Sequence, residues 1–466
     1  MFPHYVLSAL SAWAALVSAE TVIVPGAAWT DTSGDIIQAH GAGILKVGST
    51  YYWHGEDKSA NSALFSAVSC YSSSDLVNWS RQNNALVPVS STMISNSNIV
   101  ERPKVMFNQK NQEYVMWFHS DTSKKSYGAA MVGMATAKTP CGPYIYQGSW
   151  KPLGADSRDM GLFVDTDGTL FVCSKSDFYE LSEESAYLLY ASDNNQNFKI
   201  ARMDSNYYNV TAIVSQLNGS TLEAPGIVKR DNVYYLIASH TSGWDPNPNK
   251  FFQSSSLSGP WSAQADIAPA STRTYFSQNA FDLPLGSNAV YMGDRWRPSL
   301  LGSSRYIWYP LDFSTGSPQI AHADVWSVDV SAGTYTVASG TTYEAEAGTI
   351  SGSATILSGS SFSGGQAVGY LGNGGSVTIN NVQGNGQAQW IALYYANGDS
   401  TWRNTTVSVN GGPSRIVDQP NTGGGNVIIS VPVKLTLNNG ANSLTFSAGQ
   451  SSYAADLDKI IVYQQG

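Results

Sequence analysis

One unit recurs five times in the first two-thirds of this chain, and this repetition constrains the fold more than any other feature. Each copy has an apolar strand, a short polar turn and a second strand rich in aromatic residues, which is typical of a β-hairpin. Consecutive copies start 53 to 65 residues apart. The copies lie at 43–57, 103–121, 161–177, 226–240 and 279–296, with turns predicted at 48–49, 108–112, 165–168, 231–232 and 286–287.

A hairpin cannot bury its apolar face alone, so repeated hairpin units must pack against each other around an axis. The repeat therefore predicts an all-β fold with a five-bladed β-propeller over residues 20–330. Two β-sandwiches are the alternative, but they do not explain five similar copies. A low charged fraction of 13% and 43 glycines argue against a helical bundle. The net charge of −9 and the lack of a basic run argue against nucleic-acid binding.

The N-terminus indicates secretion. Residues 1–19 combine an apolar stretch with a small-residue cleavage pattern at 17–19, which is typical of a signal peptide; a buried N-terminal helix is the alternative. No other stretch is long and apolar enough to span a membrane. Secretion permits glycosylation and one disulfide, and the sequence does not indicate which cysteines pair. The glycosylation sequons start at Asn78, Asn209, Asn218 and Asn404, and the cysteines are Cys70, Cys141 and Cys173.

Three of the five units carry an acid shortly before their first strand: Glu101, Asp159 and Glu223. Equivalent positions of a propeller converge on its axis, so we expect these carboxylates to face one pocket. Like charges at close range raise the pKa of at least one of them, which is how a general acid is made at neutral pH. The alternative is three solvated turn acids. The first and fifth units have no acid at this place.

The propeller units resemble glycoside hydrolase family 43 and, within it, the exo-β-1,3-galactanase group (subfamily 24). The resemblance extends over about 38–313. The stretches that carry it are YYWHGEDKS, ERPKVMFN, SRDMGLFVDTDG, EAPGIVKRDNVYYLI, SGWDPNPNK and MGDRWRPS with SRYIWYPLDF.

This resemblance implies an inverting hydrolase in which a glutamate is the general acid, an aspartate tunes the acid, and an aspartate on the first blade is the base. Glu223 matches the acid and Asp159 matches the tuning aspartate. Gly41 stands close to the place of the base, so the base is missing, as it is in the galactanase group. The resemblance makes Glu101 a substrate-contacting acid and Gln278 the candidate that holds the attacking water. Glu101 is the alternative base.

Three further residues are candidates for sugar contact, because acids accept hydrogen bonds from hydroxyls and aromatic faces stack on pyranose rings. Ordinary strand packing is the alternative for each of them. The candidates are Glu56, Tyr127 and Trp244.

From residue 331 the composition changes. A Ser/Thr/Gly-rich linker is predicted at 331–342, followed by a β-sandwich (jelly-roll) module at 343–466 with short apolar strands and Gly/Asn-rich turns. The module resembles carbohydrate-binding module family 35, with family 6 as a close relative, through YEAEA at 343–347 and ADLDKI at 455–460.

Two sets of residues follow from the module's resemblance. Paired acids of the first strand and an aspartate of the last strand hold a structural Ca²⁺ in such modules, and oxygen ligands of this kind suit that ion; the matching residues are Glu344, Glu346 and Asp458. Sugar binds at the loops, where the matching residues are Tyr370, Arg403 and Asp456. Chance acids at strand ends are the alternative.

The sequence therefore predicts a secreted, monomeric exo-β-1,3-galactanase that needs no cofactor for catalysis and releases galactose from the β-1,3-galactan backbone of arabinogalactan. The binding module keeps the enzyme on the polymer. Nucleic acid and membrane are not expected as partners. A galactan-binding lectin that has lost its chemistry is one alternative. Another activity of the family, such as α-L-arabinofuranosidase or β-xylosidase, is a second.

Overall fold

The computed structural model describes residues 21–123, 127–173 and 178–464, without the side chains of 166–184. The signal peptide predicted at 1–19 lies outside this range. Within it, no helix has the length and apolar character needed to cross a membrane. The described chain is almost entirely β, with one short α-helix. This helix is α1 (Arg273–Phe276), and the 3₁₀ turns are Pro152–Gly154, Ala270–Thr272, Leu301–Ser303 and Ser363–Gly365.

The five predicted units form five antiparallel sheets of four strands, and within each sheet the strands neighbour each other in chain order. The first sheet has β1 (His40–Val47), β2 (Thr50–Glu56), β3 (Val68–Ser73) and β4 (Ser80–Leu86). The second has β5 (Asn98–Asn108), β6 (Glu113–Thr122), β7 (Met131–Ala137) and β8 (Ile145–Trp150). The third has β9 (Met160–Cys173), β10 (Phe178–Ser192), β11 (Asn197–Met203) and β12 (Val210–Leu217). The fourth has β13 (Leu222–Arg230), β14 (Val233–His240), β15 (Lys250–Ser254) and β16 (Ala265–Asp266). The fifth has β17 (Gln278–Leu285), β18 (Asn288–Arg295), β19 (Arg305–Asp312) and β20 (Gln319–Ile320).

The first strands of these sheets contact one another in a closed order. β1 contacts β5, β5 contacts β9, β9 contacts β13, β13 contacts β17, and β17 returns to β1. Five hydrophobic clusters lie between successive sheets in the same order. The cluster between the fifth and first sheets contains the buried rings of Trp53 and Trp308, whose centroids are 4.7 Å apart. Neighbouring sheets thus bury their apolar side chains against each other, and the first strands of the five sheets surround a common centre.

Four of the five predicted hairpin turns lie where the sequence places them, between β1 and β2, β5 and β6, β13 and β14, and β17 and β18. The turn predicted at 165–168 is wrong, because β9 continues through this stretch to Cys173. The ladder between β9 and β10 contains a register shift here, opposite 182–184. A bulge of this kind lets a polar, glycine-containing stretch stay within a strand pair.

A disulfide joins Cys70 of β3 to Cys141, which follows β7, so it links the first sheet to the second. The sequence left this pairing open. The side chain of Cys173 is outside the described part of the chain.

The C-terminal part forms two further antiparallel sheets that share one core of buried aliphatic and aromatic residues. One sheet contains β23 (Gly340–Glu344), β25 (Thr355–Ser358), β26 (Gln366–Gly369), β28 (Ala388–Ala396), β31 (Ile429–Thr436) and β33 (Asp456–Tyr463). The other contains β24 (Thr349–Ser351), β27 (Ser376–Gly384), β29 (Arg403–Val409), β30 (Arg415–Gln419) and β32 (Gly440–Ala448).

The stretch 331–342, predicted as a linker, contains regular structure. β22 (Thr334–Val337) pairs with β21 (Trp326–Asp329), and β23 already begins at Gly340. Alternating polar and β-branched residues in TYTV favour a strand over an open chain. The connection between the two parts of the molecule is therefore a hairpin.

Buried polar contacts join the C-terminal sheets to the rest of the chain. Asp324, which is 8% exposed, accepts hydrogen bonds from the hydroxyls of Tyr394 (2.7 Å), Tyr463 (2.8 Å) and Ser430 (2.5 Å). Three donors satisfy this buried carboxylate. The junction is thus specified by hydrogen bonds as well as by apolar packing.

Candidate active site

A cavity of about 240 Å³ opens where the first strands of the sheets meet. It brings together all four residues predicted to act in catalysis and the three candidates for sugar contact from the same part of the chain. The predicted residues that line it are Glu56, Glu101, Tyr127, Asp159, Glu223, Trp244 and Gln278. Acids far apart in the sequence therefore share one pocket, as the repeat predicted.

Backbone bulges position the side chains at this cavity. In β1, β5, β13 and β17 the first strand holds one more residue than its partner, at the end nearest the cavity. Gly41, Arg102 and Ala224 sit in three of these bulges with φ of 56°, 54° and 53°. Bulges re-aim neighbouring side chains, and Glu101 and Glu223 each directly precede a bulge.

Glu223 is a buried acid, 7% exposed. Burial, followed by the negative charge of Asp159, raises its pKa to about 8, while Arg102 acts in the opposite direction. Its Oε1 accepts a hydrogen bond of 2.8 Å from the side-chain amide of Gln278. Glu223 is therefore protonated at neutral pH and able to donate that proton, which is the requirement for a general acid.

Every polar atom of the Gln278 side chain has a partner. Its Oε1 accepts from Arg102 Nη2 at 2.6 Å and from the indole N–H of Trp296 at 2.9 Å. Its Nε2 donates to Glu223 and, at 3.2 Å, to the Ser239 hydroxyl. These four hydrogen bonds fix the orientation of the amide at the cavity.

Asp159 is held between two other units. Its Oδ2 lies 2.9 Å from Arg102 Nη2 and accepts from the Ala224 backbone N–H at 3.1 Å. Ala224 directly follows Glu223, so Asp159 contacts the backbone beside the acid whose pKa it raises.

Glu101 belongs to a chain of paired groups. Its Oε1 accepts from the Tyr127 hydroxyl at 2.8 Å, and its Oε2 lies 3.4 Å from His119 Nδ1. The other ring nitrogen of His119 is 3.1 Å from Asp121. Burial opposes the charge on His119, but the hydrogen bond to Asp121 and the ion pair with Glu101 raise its pKa to about 9. Burial also opposes ionisation of Glu101, yet His119, Lys58 and Tyr127 hold its pKa below the ordinary value.

Glu101, His119 and Asp159 each place one possible metal-ligand atom within 4.8 Å of the others. The ion pair of Arg102 with Asp159 already brings a positive charge to this group. A protonated His119 has no lone pair to offer a metal. The cluster is therefore accounted for by ion pairs and hydrogen bonds.

Glu56 fills the place where the first unit lacks an acid. A Cβ at Gly41 would lie 2.2 Å from Glu56 Oε1, so this carboxylate takes the space of a side chain at position 41. Glu56 accepts from the Arg102 backbone N–H at 2.9 Å and pairs with Lys58 at 2.7 Å. The absence of an aspartate at position 41 is thus compensated by a carboxylate from the next strand.

Aromatic rings form one wall of the cavity. Trp244 is half-buried and packs edge-on against Trp296, with centroids 4.8 Å apart. Sequence reasoning missed Arg102, His119 and Trp296, although the matching stretches contain Arg102 and Trp296. The available signal for Arg102 was a positively charged residue between Glu101 and a proline in a predicted strand.

The three acids predicted as calcium ligands lie on the paired strands β23 and β33 or next to them. Oε2 of Glu344 and Oε2 of Glu346 are buried, with no hydrogen-bond partner among the described residues. Asp458 accepts from the Ser363 backbone N–H at 2.7 Å, and burial raises its pKa to about 6. Unpartnered buried carboxylate oxygens fit the ligand set of a hard cation.

The predicted sugar-contacting residues of the C-terminal sheets gather at one edge. Tyr370 is 49% exposed and stands edge-on to Tyr453, with centroids 5.3 Å apart. Arg403 donates to Asp399 Oδ2 at 2.6 Å and to the Ala454 carbonyl at 3.0 Å. Burial raises the pKa of Asp456 to about 6, and the nearby charge of Arg403 opposes this.

A pocket with one carboxyl, Glu223, kept protonated and a second, Glu101, kept ionised, lined by aromatic rings, is typical of an acid-assisted hydrolase of the glycoside hydrolase class. Comparison with protein families supports this class directly. The model of "Glycosyl hydrolases family 43" matches residues 38–282, which include Glu101, Asp159, Glu223 and Gln278. The chain belongs to glycoside hydrolase family 43.

Solved structures extend the similarity beyond the family. An exo-β-1,3-galactanase from Phanerochaete chrysosporium, solved with galactose, is 75% identical, with a TM-score of 0.90; the match covers 95% of this chain and 100% of that one. A variant of that enzyme with one glutamate replaced by alanine was solved with β-1,3-galactotriose. An exo-β-1,3-galactanase from Clostridium thermocellum is 28% identical over 94% of this chain and 99% of its own, with a TM-score of 0.62.

The C-terminal sheets have a match of their own. The model described as "Alpha-galactosidase, CBM13 domain" covers residues 376–462, and it supports the carbohydrate-binding module that the sequence predicts. The sequence motifs had indicated families 35 and 6. A comparison with curated protein sequences found no match.

Proposed function

We propose that this chain is an exo-β-1,3-galactanase that releases galactose from the non-reducing ends of β-1,3-galactan. The observation that carries this is the combination of near-full-length similarity to a solved exo-β-1,3-galactanase with a pocket in which Glu223 is protonated at neutral pH. In that pocket Gly41 stands close to the place where arabinan- and xylan-active members are expected to use an aspartate base. The closed order of contacts between the five sheets supports a five-bladed β-propeller around the pocket; an experimental structure with the first and fifth sheets apart would contradict it.

In the proposed reaction Glu223 gives its proton to the glycosidic oxygen as the bond from that oxygen to the anomeric carbon breaks. A water molecule attacks the same carbon from the opposite face and inverts its configuration. Glu223 leaves the step as a carboxylate next to Asp159, and Arg102 stabilises the negative charge. Proton exchange with solvent then restores the acid.

Gln278 is proposed to hold the attacking water. In its imidic-acid form Nε2 takes the proton of the water and the proton on Oε1 passes to solvent, so that the ordinary amide remains. Arg102 and Trp296 support the positioning of the water, because their hydrogen bonds to Oε1 fix the orientation of the amide. An inverting reaction needs about 6.5–9.5 Å between acid and base so that sugar and water fit between them. Gln278 Nε2 is 2.8 Å from Glu223 without sugar, so this contact must break when substrate enters. Glu101, ionised and held by His119, is the alternative base.

Removal of a terminal sugar fits the size of the cavity. Its volume of about 240 Å³ lies below the usual range of roughly 300–1,000 Å³ for pockets that enclose larger ligands. A site of this size holds about one sugar residue, and the remaining chain would lie outside it. Glu56, Glu101 and Tyr127 provide hydrogen-bonding groups for its hydroxyls, and Trp244 provides an aromatic face.

Product analysis on linear β-1,3-galactan, with arabinan and xylan as controls, tests this function. Galactose as the sole product from galactan supports an exo-galactanase. Arabinose or xylose from the control polymers would instead indicate another activity of the family. Retained binding to galactan without product would indicate a lectin.

The Asp159→Asn variant is expected to lose activity at a lower pH than the unchanged chain. The acid works only while protonated, so kcat/KM falls as pH rises through the Glu223 pKa of about 8. Removing the charge of Asp159 takes away one cause of that high pKa and frees Arg102, whose charge also lowers it. The alkaline limb of the pH–rate profile should therefore move down by about one pH unit. An unchanged limb would contradict the tuning role.

Glu344, Glu346 and Asp458 are proposed to hold a structural Ca²⁺, which would neutralise three neighbouring acids. The unpartnered buried oxygens of Glu344 and Glu346 support this proposal. EDTA is expected to lower the unfolding temperature by several degrees, and added Ca²⁺ should restore it, because an ion bound only to the folded state stabilises that state. The Glu346→Gln variant should lose the response. An unfolding temperature insensitive to EDTA would rule the site out.

The C-terminal module is proposed to hold galactan through Tyr370, Arg403 and Asp456. Replacing Tyr370 with alanine should reduce retention on insoluble β-1,3-galactan about tenfold, since loss of an aromatic sugar platform costs about 1–1.5 kcal/mol. Ile356→Ala, which truncates another exposed apolar residue of the module, is the matched control and should bind as before. Equal retention of both variants would place the sugar elsewhere.

The mature protein is proposed to be secreted and monomeric. N-terminal sequencing of material from the culture medium should begin at Glu20, and light scattering should give the mass of one chain. Retention inside the cell, or a mass of two chains, would contradict these two points respectively.

A further inference from the structure

A second cavity, of about 500 Å³, lies where the fifth sheet meets the C-terminal module and the N-terminal segment at 26–28. It is separate from the cavity that contains Glu223, with which it shares no lining residue. Its walls carry several cations and two tryptophans. The residues used below are Arg295, Arg305, Arg415, Asp418, Trp390 and Trp402.

Arg295 is a buried cation, 3% exposed. Its Nη2 and Nε donate to the backbone carbonyls of Tyr275 (2.7 Å) and Phe276 (3.3 Å). Among the residues that the structure describes, no carboxylate lies within ion-pair distance of it. Its Nη1 points toward Gly26, where a Cβ would lie 3.0 Å from this nitrogen. A desolvated guanidinium without a counter-charge is costly.

The other arginines add to this excess of positive charge. Arg305 donates to the Ser304 carbonyl at 3.2 Å, and neither it nor Arg415 forms an ion pair within the described part of the chain. Asp418 is the only acid among the described residues that line the cavity; it is held by Arg297 at 2.6 Å, and its charge also acts on Arg305. This concentration of cations occurs in a chain with a net charge of −9. An anion would relieve the mutual repulsion of the arginines.

The two tryptophans line the cavity, and each has a cation over one face of its ring: Lys434 lies 5.1 Å from the centroid of Trp390 and Arg297 lies 4.9 Å from that of Trp402. Both are half-buried, and Trp402 packs edge-on against Phe276 with centroids 5.9 Å apart. The indole N–H of Trp390 is buried and has no acceptor among the described residues. Guanidinium groups bind carboxylates in a planar, two-pronged way, and indole rings pack against the C–H faces of sugar rings.

We propose that this cavity binds an acidic sugar, with the carboxylate of a hexuronic acid on Arg295 and Arg305 and its ring against the tryptophans. That the carboxylate belongs to a sugar, and not to another kind of molecule, rests on the proposed function. A hexuronate side group of the polysaccharide would thus be held by residues of the fifth sheet and the binding module together, at a distance from the bond that is cleaved.

Calorimetric titration of the full chain with sodium D-glucuronate and D-galacturonate tests this proposal, with a saturating amount of D-galactose present to occupy the catalytic cavity. Sodium acetate and sodium phosphate are the anion controls. We expect a uronate to bind and its Kd to rise at least tenfold in the Arg305→Gln variant. Arg415 is exposed, so its replacement by glutamine should not disturb the fold. The Arg415→Gln variant should weaken binding as well. Arg230→Gln removes an arginine outside the cavity and should leave the Kd unchanged.

Absence of uronate binding would overturn the proposal, as would acetate or phosphate binding equally well or an unchanged Kd in both cavity variants. Release of galactose from linear β-1,3-galactan by the unchanged chain is measured separately. If no galactose is released, the proposed function is wrong. If galactose is released normally but no uronate binds, only this inference is wrong.

Discussion

The Glu223→Gln variant is expected to release galactose from β-1,3-galactan about 10³ times more slowly than the unchanged chain, as measured by kcat. Glutamine keeps the shape of the side chain and can still accept the hydrogen bond from Gln278, but it has no acidic proton to give to the glycosidic oxygen. Loss of a positioned general acid costs about 10²–10⁴ in rate. The high pKa of Glu223, caused by burial and by Asp159, is the structural reason to expect a large effect.

The leaving group separates this role from a structural one. The substrate 2,4-dinitrophenyl β-galactoside releases 2,4-dinitrophenolate, which leaves without being protonated. The variant should therefore hydrolyse this substrate at a rate within about tenfold of the unchanged chain. Glu113→Gln is the matched control, because Glu113 is also a buried glutamate but does not line the cavity; its kcat should be normal on both substrates. An equal loss on both substrates in Glu223→Gln would exclude the acid role.

The second large effect is expected for Gln278→Ala, which should lower kcat about 10²-fold by removing the group that holds the attacking water. Azide is a nucleophile that needs no base. Added azide should therefore restore turnover of this variant, with α-galactosyl azide as product, while Glu223 still supplies the proton to the leaving oxygen. The anomeric configuration of the galactosyl azide also shows whether the reaction inverts.

Glu101→Gln is the comparison that decides between the two candidate bases. If Glu101 contacts a sugar hydroxyl, this variant should mainly raise KM and should not respond to azide. The assignment is wrong if Gln278→Ala keeps near-normal turnover while Glu101→Gln abolishes it and is rescued by azide. In that case the ionised Glu101, held by His119 and Tyr127, is the base.

Much of the architecture was predictable because hairpin periodicity and turn residues are local signals. Four of five hairpin turns and all seven predicted pocket residues of the first part of the chain follow from the repeat or from the resemblance. The turn at 165–168 was mispredicted because a polar, glycine-containing stretch can be taken up as a bulge inside a strand pair. Similarly, the strand at Thr334–Val337 was hidden in a Ser/Thr/Gly-rich composition.

The contacts between units were not predictable in the same way. The pairing of Arg102 with both Asp159 and Gln278 joins three different sheets, and no sequence spacing encodes it. The same holds for His119, whose charge depends on two carboxylates from its own sheet. The bulges that aim Glu101 and Glu223 toward the cavity depend on left-handed backbone at Arg102 and Ala224, which residue types alone do not indicate.

The shared volume of Gly41 and Glu56 limits how this active site can change during evolution. An aspartate at position 41 would place its Cβ 2.2 Å from Glu56 Oε1 on a backbone with φ of 56°. Loss of Glu56 alone would leave Lys58 buried without its counter-ion. Each single step is therefore harmful, and only the paired replacement leads from one arrangement of acids to the other. We therefore expect members of the family to carry either this glycine with this glutamate or an aspartate without it.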